Sequence, residues 1–294
     1  MALKSLYDVA APAKLNLFLH VVGRRADGYH LLQSVFALID WCDTLHFDRR
    51  TDGRLARHDL GPALPADDLC LRAARLLQTE SGTTLGADIS IDKQVPWGAG
   101  MGGGSSDAAS TLLALNRLWG LDWPRERLAA LGLQLGADVP FFIGGHNAFV
   151  EGIGERLTPL PLPPAWLAVL KPAAAIETRA IFGSPLLVRD TEAVILAGFL
   201  ADTAGSMRRV LDGFGRNDLQ PPAEAHCADV VTAREILQRR FGNARMTGSG
   251  SAVFARAGTD AEPMATMPAD LPPGWVGRMC RSLEQHPLVG WAPG

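Results

Sequence analysis

Residues 96–110 read PWGAGMGGGSSDAAS, and no other stretch constrains the fold as tightly. Gly98, Gly100, Gly102, Gly103 and Gly104 fill five of seven consecutive positions, which strips the turn of most of its β-carbons. Backbone N–H groups can then point into one concavity. The turn follows a strand-like segment, ADISIDKQV, and opens a helix whose apolar stripe is Ala108, Leu112, Leu115 and Trp119. A helix N-terminus adds partial positive charge, so strand, glycine turn and helix together predict an anion cradle suited to phosphate. Ser105 and Ser106 supply hydroxyls there, for capping the helix or for contacting a phosphate or Mg²⁺.

Several phosphate loops share this chemistry, and context separates them. Gly98, Gly100 and Gly103 satisfy GxGxxG, but a dinucleotide fold needs a strand after the helix, ending in an acidic residue about 20 positions on. Here LDWPRERLAALG follows, a second helix. A Walker loop ends in GK[ST], and this one holds no lysine. A protein-kinase loop needs HRD and DFG partners, which the chain lacks.

The chain has 294 residues, and about 150 residues per domain predicts two domains. The boundary falls in TPLPLPPAW, where Pro159, Pro161, Pro163 and Pro164 prevent helix and interrupt a sheet ladder, so the segment reads as a linker. The domains then run over 1–160 and 165–294. A strand is expected from Ala13 to Val22 and another in AWLAVLKP, with amphipathic helices in DTEAVILAGFLAD and AEAHCADVVTAREILQRRF. NARMTGSGSAVFAR reads as two short strands around a glycine turn. Strands and helices mix in both halves, so the class is α+β (mixed α/β).

In AKLNLFLH the alternation sets Leu15, Leu17 and Leu19 toward the core and Lys14, Asn16 and Phe18 toward a polar pocket or solvent. Asp138, two residues before Pro140, has the pattern of a helix N-cap. The net charge of −3 provides no basic field for nucleic acid or an anionic membrane. Cys42, Cys70, Cys227 and Cys280 have neither CxxC nor zinc spacing and read as reduced thiols of a cytoplasmic protein. The opening MALKSLYDVAAPAK lacks the apolar core of a signal peptide, and no apolar run reaches membrane-spanning length. The histidines form no metal spacing such as HExxH.

PWGAGMGGGSSDAA resembles the second motif of the GHMP kinases, a family of small-molecule kinases. PAKLNLFLHV at 12–21 resembles the first motif and MTGSGSAVFA at 246–255 the third, in the family's order. Within the family, AKLNLFLHVVGRRADGYHLLQSVF, GADVPFFIGG and NDLQ are most similar to the isoprenoid-pathway branch that phosphorylates a cytidine diphosphate-linked polyol. The resemblance implies a two-domain fold with the active site in the cleft between domains, and ATP as co-substrate carrying Mg²⁺ without a dedicated protein metal site. Both substrates would be small molecules.

The resemblance also assigns residues. Lys14 and Asp138 become the catalytic pair, with Asp138 either taking the acceptor proton or orienting its hydroxyl. Pro96, Trp97, Gly98, Ala99, Gly100, Met101, Gly102, Gly103, Gly104, Ser105 and Ser106 would bind ATP, the loop from Gly98 to Ser106 holding its phosphates through the backbone. ADDLCLRAARLL resembles the segment that packs on adenine: Leu69 would contact the base through its backbone, while Asp68 stands where Asn is usual. Met101 stands where leucine is usual. On the acceptor side Asn16, Tyr29, His30, Thr178 and Phe182 would bind substrate, with the cytosine stacked between Tyr29 and Phe182 and His30 at its edge. Gly248, Ser249 and Gly250 would approach the acceptor diphosphate or help close the cleft.

Overall fold

The computed structural model describes residues 3–259 and 261–294. Met1 and Ala2, which begin the segment read as lacking an apolar leader, lie outside the described residues, as does Asp260.

The first half runs β1 (Ser5–Arg24), β2 (His30–Arg50), β3 (Leu55–Asp59), α1 (Leu69–Ser81), β4 (Gly86–Asp92), α2 (Gly103–Leu118), α3 (Arg125–Leu133), α4 (Val139–Gly144), β5 (Ala148–Glu151) and β6 (Arg156–Pro159). The second runs β7 (Trp166–Lys171), α5 (Thr178–Gly183), α6 (Leu196–Ala201), α7 (Thr203–Leu211), α8 (Gln220–His226), α9 (Ala228–Phe241), β8 (Arg245–Met246), β9 (Val253–Gly258) and β10 (Val276–Arg281). Each half has its own sheet. The first follows the order β3-β4-β2-β5-β6 with β1 paired to β2, and the second is β10-β7-β9-β8.

The long β1–β2 hairpin carries the first motif, and its register breaks matter. Shifts fall between Pro12 and Lys14 and between Asn16 and Leu19. Proline cannot donate to the ladder, which favours a break beside Pro12. The second shift ends the simple alternation expected for AKLNLFLH. Phe18 is fully buried in the core with Leu15 and Leu17, not on the face of Lys14 and Asn16. Leu19 turns instead to a third apolar cluster, with Leu170 and Leu219.

The cores explain how the halves hold together. One lies under α1–α4 and contains the predicted stripe Ala108, Leu112, Leu115 and Trp119. Nearly all of α2 is buried, because sheet and helices cover it from several sides. A second core mixes Leu15 and Phe149 of the first half with Val169 and Phe254 of the second. Leu160 and Leu162, from the proline-rich segment, are buried in it. That segment is therefore a packed strap rather than a loose linker. The chain end also crosses back: Leu283 N–H donates to the Leu38 carbonyl (2.8 Å) and His286 N–H to that of Gly145 (2.8 Å).

Two expected helices are broken. The one read over 190–202 starts only at Leu196, because the preceding backbone has other partners. Thr191 N–H donates to the Val21 carbonyl (3.1 Å), and Val194 N–H to Gln33 Oε1 (2.7 Å). The one read over 223–241 is interrupted at Cys227, whose backbone is extended, giving α8 and α9.

Candidate active site

A cleft of about 1330 Å³ is lined by both halves: the first motif, the glycine turn, the start of α1, the β1–β2 tip, α5 and the third motif. Pockets that hold one drug-sized ligand span roughly 300–1,000 Å³, so this cleft is larger than a single such ligand needs.

Lys14 is almost fully buried at the cleft wall. Its Nζ lies 3.3 Å from Asp138 Oδ2, donates to Asn16 Oδ1 (2.6 Å) and sits 4.2 Å from the centre of the Phe36 ring. Asn16 Nδ2 in turn donates to Ser34 Oγ (3.1 Å). The ammonium is thus fixed by a carboxylate, an amide oxygen and an aromatic face, a setting that keeps a charge aimed at one point. Asp138 occupies the N-cap position of α4, yet its side chain caps nothing. The capping pattern read from the sequence is not used. The Asp138 side chain keeps 30% exposure, enough to meet a ligand from the cleft.

Gly98, Gly100 and Gly102 all have positive φ, and α2 opens at Gly103 with no side-chain cap. Its first-turn N–H groups lack intrahelical acceptors by helix geometry, an arrangement that suits an anion. Pro96, Trp97, Gly104 and Ser105 line the same wall. Ala99 and Met101 bury their side chains in the shared core and offer only backbone. Ser106 corrects an expectation. One helical step of about 100° beyond Ser105 turns it inward, so it is fully buried, does not line the cleft, and its hydroxyl has no partner.

Beneath the turn lies a charged triad. Lys93 Nζ bridges Asp43 and Asp107, at 2.5 Å from Asp107 Oδ2. Burial, with Asp43 nearby, pushes the Asp107 carboxyl well above the usual range even though Lys93 opposes it. Burial works against the Lys93 charge, but the two carboxylates outweigh it and raise its pKa.

The third motif packs directly on the second. Ser251 N–H donates to the Gly98 carbonyl (3.1 Å) and Ala252 N–H to that of Ala99 (3.2 Å), while Asn16 N–H donates to Thr247 Oγ1 (2.8 Å). Gly248, Ser249 and Gly250 also line the cleft. This turn buttresses the glycine loop, a role not foreseen from its sequence.

By the β1–β2 tip Tyr29 is 61% exposed, and the His30 and Phe182 rings stack at 5.0 Å with 27° between planes. It is His30, not Tyr29, that lies against Phe182. Thr178 and Ser249 share a hydroxyl hydrogen bond of 2.7 Å, joining α5 to the third motif. At the other end Asp68 caps α1, accepting from Leu71 N–H (3.1 Å), and pairs with Arg57 Nη1 at 2.8 Å. Its carboxylate is committed within the protein, whereas Leu69 lines the cleft with its neighbours.

Comparison with known proteins places this geometry. The GHMP kinases N terminal domain matches residues 68–146, and the GHMP kinases C terminal domain matches 195–266. A 4-diphosphocytidyl-2-C-methyl-D-erythritol kinase from Methylibium petroleiphilum is 71% identical over 294 residues, covering 99% of this chain and all of that one. The chain belongs to the GHMP kinase family. A second protein of that name, from Albidiferax ferrireducens, is 58% identical over 99% of this GHMP kinase and 96% of its own length. The crystal structure of a 4-(cytidine 5'-diphospho)-2C-methyl-D-erythritol kinase superposes with a TM-score of 0.71 at 36% identity, over 84% of this chain and 89% of that one.

Every predicted site residue of this GHMP kinase except Ser106 lines the one cleft. Sequence reading missed Ser34, Phe36, Lys93 and Asp107, which also line the cleft. Only Asp107 carried a local signal, as the one charge in an otherwise uncharged helix start. Among the described residues no group of three or more His, Cys, Asp or Glu side chains is arranged to hold a metal ion, and no helix is long and apolar enough to cross a membrane. All four cysteines are free thiols.

Proposed function

We propose that this GHMP kinase transfers the γ-phosphate of ATP to the 2-hydroxyl of 4-diphosphocytidyl-2-C-methyl-D-erythritol, giving the 2-phosphate and ADP in isoprenoid biosynthesis. The observation that carries the reading is the Lys14–Asp138 pair, 3.3 Å apart in the same cleft as the uncapped start of α2. The named relatives, aligned end to end, supply the acceptor.

Phosphoryl transfer leaves the protein mainly positioning and charge neutralisation. The glycine turn and the first turn of α2 hold the ATP phosphates through N–H groups. Asp138 accepts or orients the proton of the acceptor hydroxyl, whose oxygen bonds to the γ-phosphorus as the bond to the β–γ bridging oxygen breaks. Lys14 neutralises charge on the transferring group and, 3.3 Å from Asp138 Oδ2, holds that carboxylate in place. Asn16 holds Lys14 and meets the acceptor. Mg²⁺ would come bound to ATP and would offset phosphate charge; the Ser105 hydroxyl, which lines the cleft, would be available to it. Tyr29, His30 and Phe182 take the cytosine; residues 1–160 carry the nucleotide loop and the catalytic pair, and residues 165–294 close over the acceptor.

ADP release separates this from its alternatives. The cytidine-linked polyol should turn over, while homoserine, mevalonate and the polyol lacking cytidine should not. Equal turnover with homoserine or mevalonate overturns the assignment.

A further inference from the structure

Arg189 lies outside the cleft lining, between α5 and α6, yet one guanidinium makes four hydrogen bonds around the acceptor end. Its Nε donates to His30 Nε2 (3.2 Å). Its Nη1 donates to the Leu187 carbonyl and its Nη2 to the carbonyls of Phe182 and Ser184, each at 3.0 Å. His30 and Arg189 are 159 positions apart. Phe182, whose carbonyl Arg189 holds, stacks its ring on His30.

An arginine side chain has only donors. The His30 nitrogen facing it must therefore accept, which leaves the proton on Nδ1. An imidazolium would place N–H against N–H. The ring is accordingly kept neutral: burial, then Arg189 and Arg24, hold its pKa below the ordinary 6.5. We infer that Arg189 is a positioning residue for base recognition, locking His30 in the Nδ1–H tautomer so that the cleft takes a cytosine-type acceptor and rejects a uracil-type one. Cytosine presents an unprotonated N3 that receives the Nδ1 proton. Uracil presents N3–H, and two donors would meet without a partner, the kind of mismatch by which a site built for one hydrogen-bond pattern discriminates strongly. This inference rests on the cytidine-linked acceptor of the proposed function.

The full-length protein with ¹⁵N-labelled histidine reports the tautomer directly, with the His30 signals assigned by their disappearance in His30→Gln. The parent should show Nδ1–H alone at pH 7.5, and Arg189→Met should show a tautomer mixture. In kinetics, Arg189→Met should raise KM for the cytidine-linked acceptor about tenfold or more and erode the preference over a uridine-linked one. Its kcat and ATP KM should stay within about twofold, because the hydrogen bond to the base is weakened equally in the ground and transition states. Arg189→Lys keeps a donor for Nε2 and should restore the tautomer and part of the KM. An Nε2–H tautomer in the parent, or unchanged discrimination in a folded Arg189→Met protein, overturns the role of Arg189. Absence of turnover of the cytidine-linked polyol by the parent overturns the acceptor reading instead, and the tautomer measurement tells the two failures apart.

Discussion

Gly100 and Thr247 meet backbone to backbone: a β-carbon at Gly100 would lie 2.3 Å from the Thr247 carbonyl oxygen, far inside van der Waals distance. Reciprocally, one at Gly248 would lie 2.7 Å from the Gly100 oxygen. The second and third glycine motifs thus form one object, in which each turn is glycine-rich partly because the other is there. The phosphate loop is shaped by a segment nearly 150 positions away, Thr247 Oγ1 bonding the Gly100 carbonyl across that gap.

This close approach separates two kinds of glycine variant. Gly100→Ala meets backbone at φ +73° and should destabilise the fold by about 3 kcal/mol, read by urea unfolding. Gly104 meets only the Leu69 side chain, at 3.4 Å, so Gly104→Val should fold normally and weaken ATP binding about tenfold or more, that is about 1.4 kcal/mol. Unchanged ATP affinity in folded Gly104→Val would remove the phosphates from this wall. Gly103 is the poorer probe, because its β-carbon would press on Val95 at 3.1 Å.

Asp138→Asn should lower kcat by about 10²–10⁴, the usual worth of a general base. Lys14→Met should cost about 10²–10³, the scale of one missing electrostatic donor. ATP KM should move little in either. Steady-state kinetics of both variants provides the check, and an Asp138→Asn enzyme within a fewfold of the parent would remove the carboxylate from the transfer step.

Asp68 caps α1, so Asp68→Ala should cost about 1 kcal/mol. Asp68→Asn keeps an oxygen for Leu71 N–H and should stay within about 0.5 kcal/mol of the parent, since Asn and Asp cap equally well. Arg57 retains Asp59 as a partner in both. Chemical denaturation of the two variants distinguishes the cap from the ion pair.

His286 anchors the returning chain end and is buried, which pushes its pKa down to about 3 from 6.5. Because the folded value is the lower one, the unfolded chain takes up the proton first as pH falls. Its contribution is complete above about pH 6.5 and is lost progressively below it, amounting to roughly 2–3 kcal/mol by pH 4.5. His20 and His30 shift the same way, also through burial. Thermal unfolding at pH 7.5 and 4.5 should show this loss, and His286→Asn, which retains an acceptor for Leu288 N–H, should show a smaller one.

What the amino-acid sequence determined by itself is the chemistry carried by consecutive residues. The glycine turn opens a helix because both depend on local backbone freedom and on the apolar period of Ala108, Leu112 and Leu115. The three motifs were legible for the same reason. Tertiary structure alone decided which side chains share a charge or a proton. Strand alternation left Lys14 facing pocket or solvent, and only packing buried it against Asp138 and Phe36. Nothing local marks Arg189 as the partner of His30, Lys93 as the bridge between Asp43 and Asp107, or the proline segment as part of a core. Such pairings depend on distance in space between residues remote in the chain. The desolvation and geometry that give them their effect arise only once the two sheets close on one another.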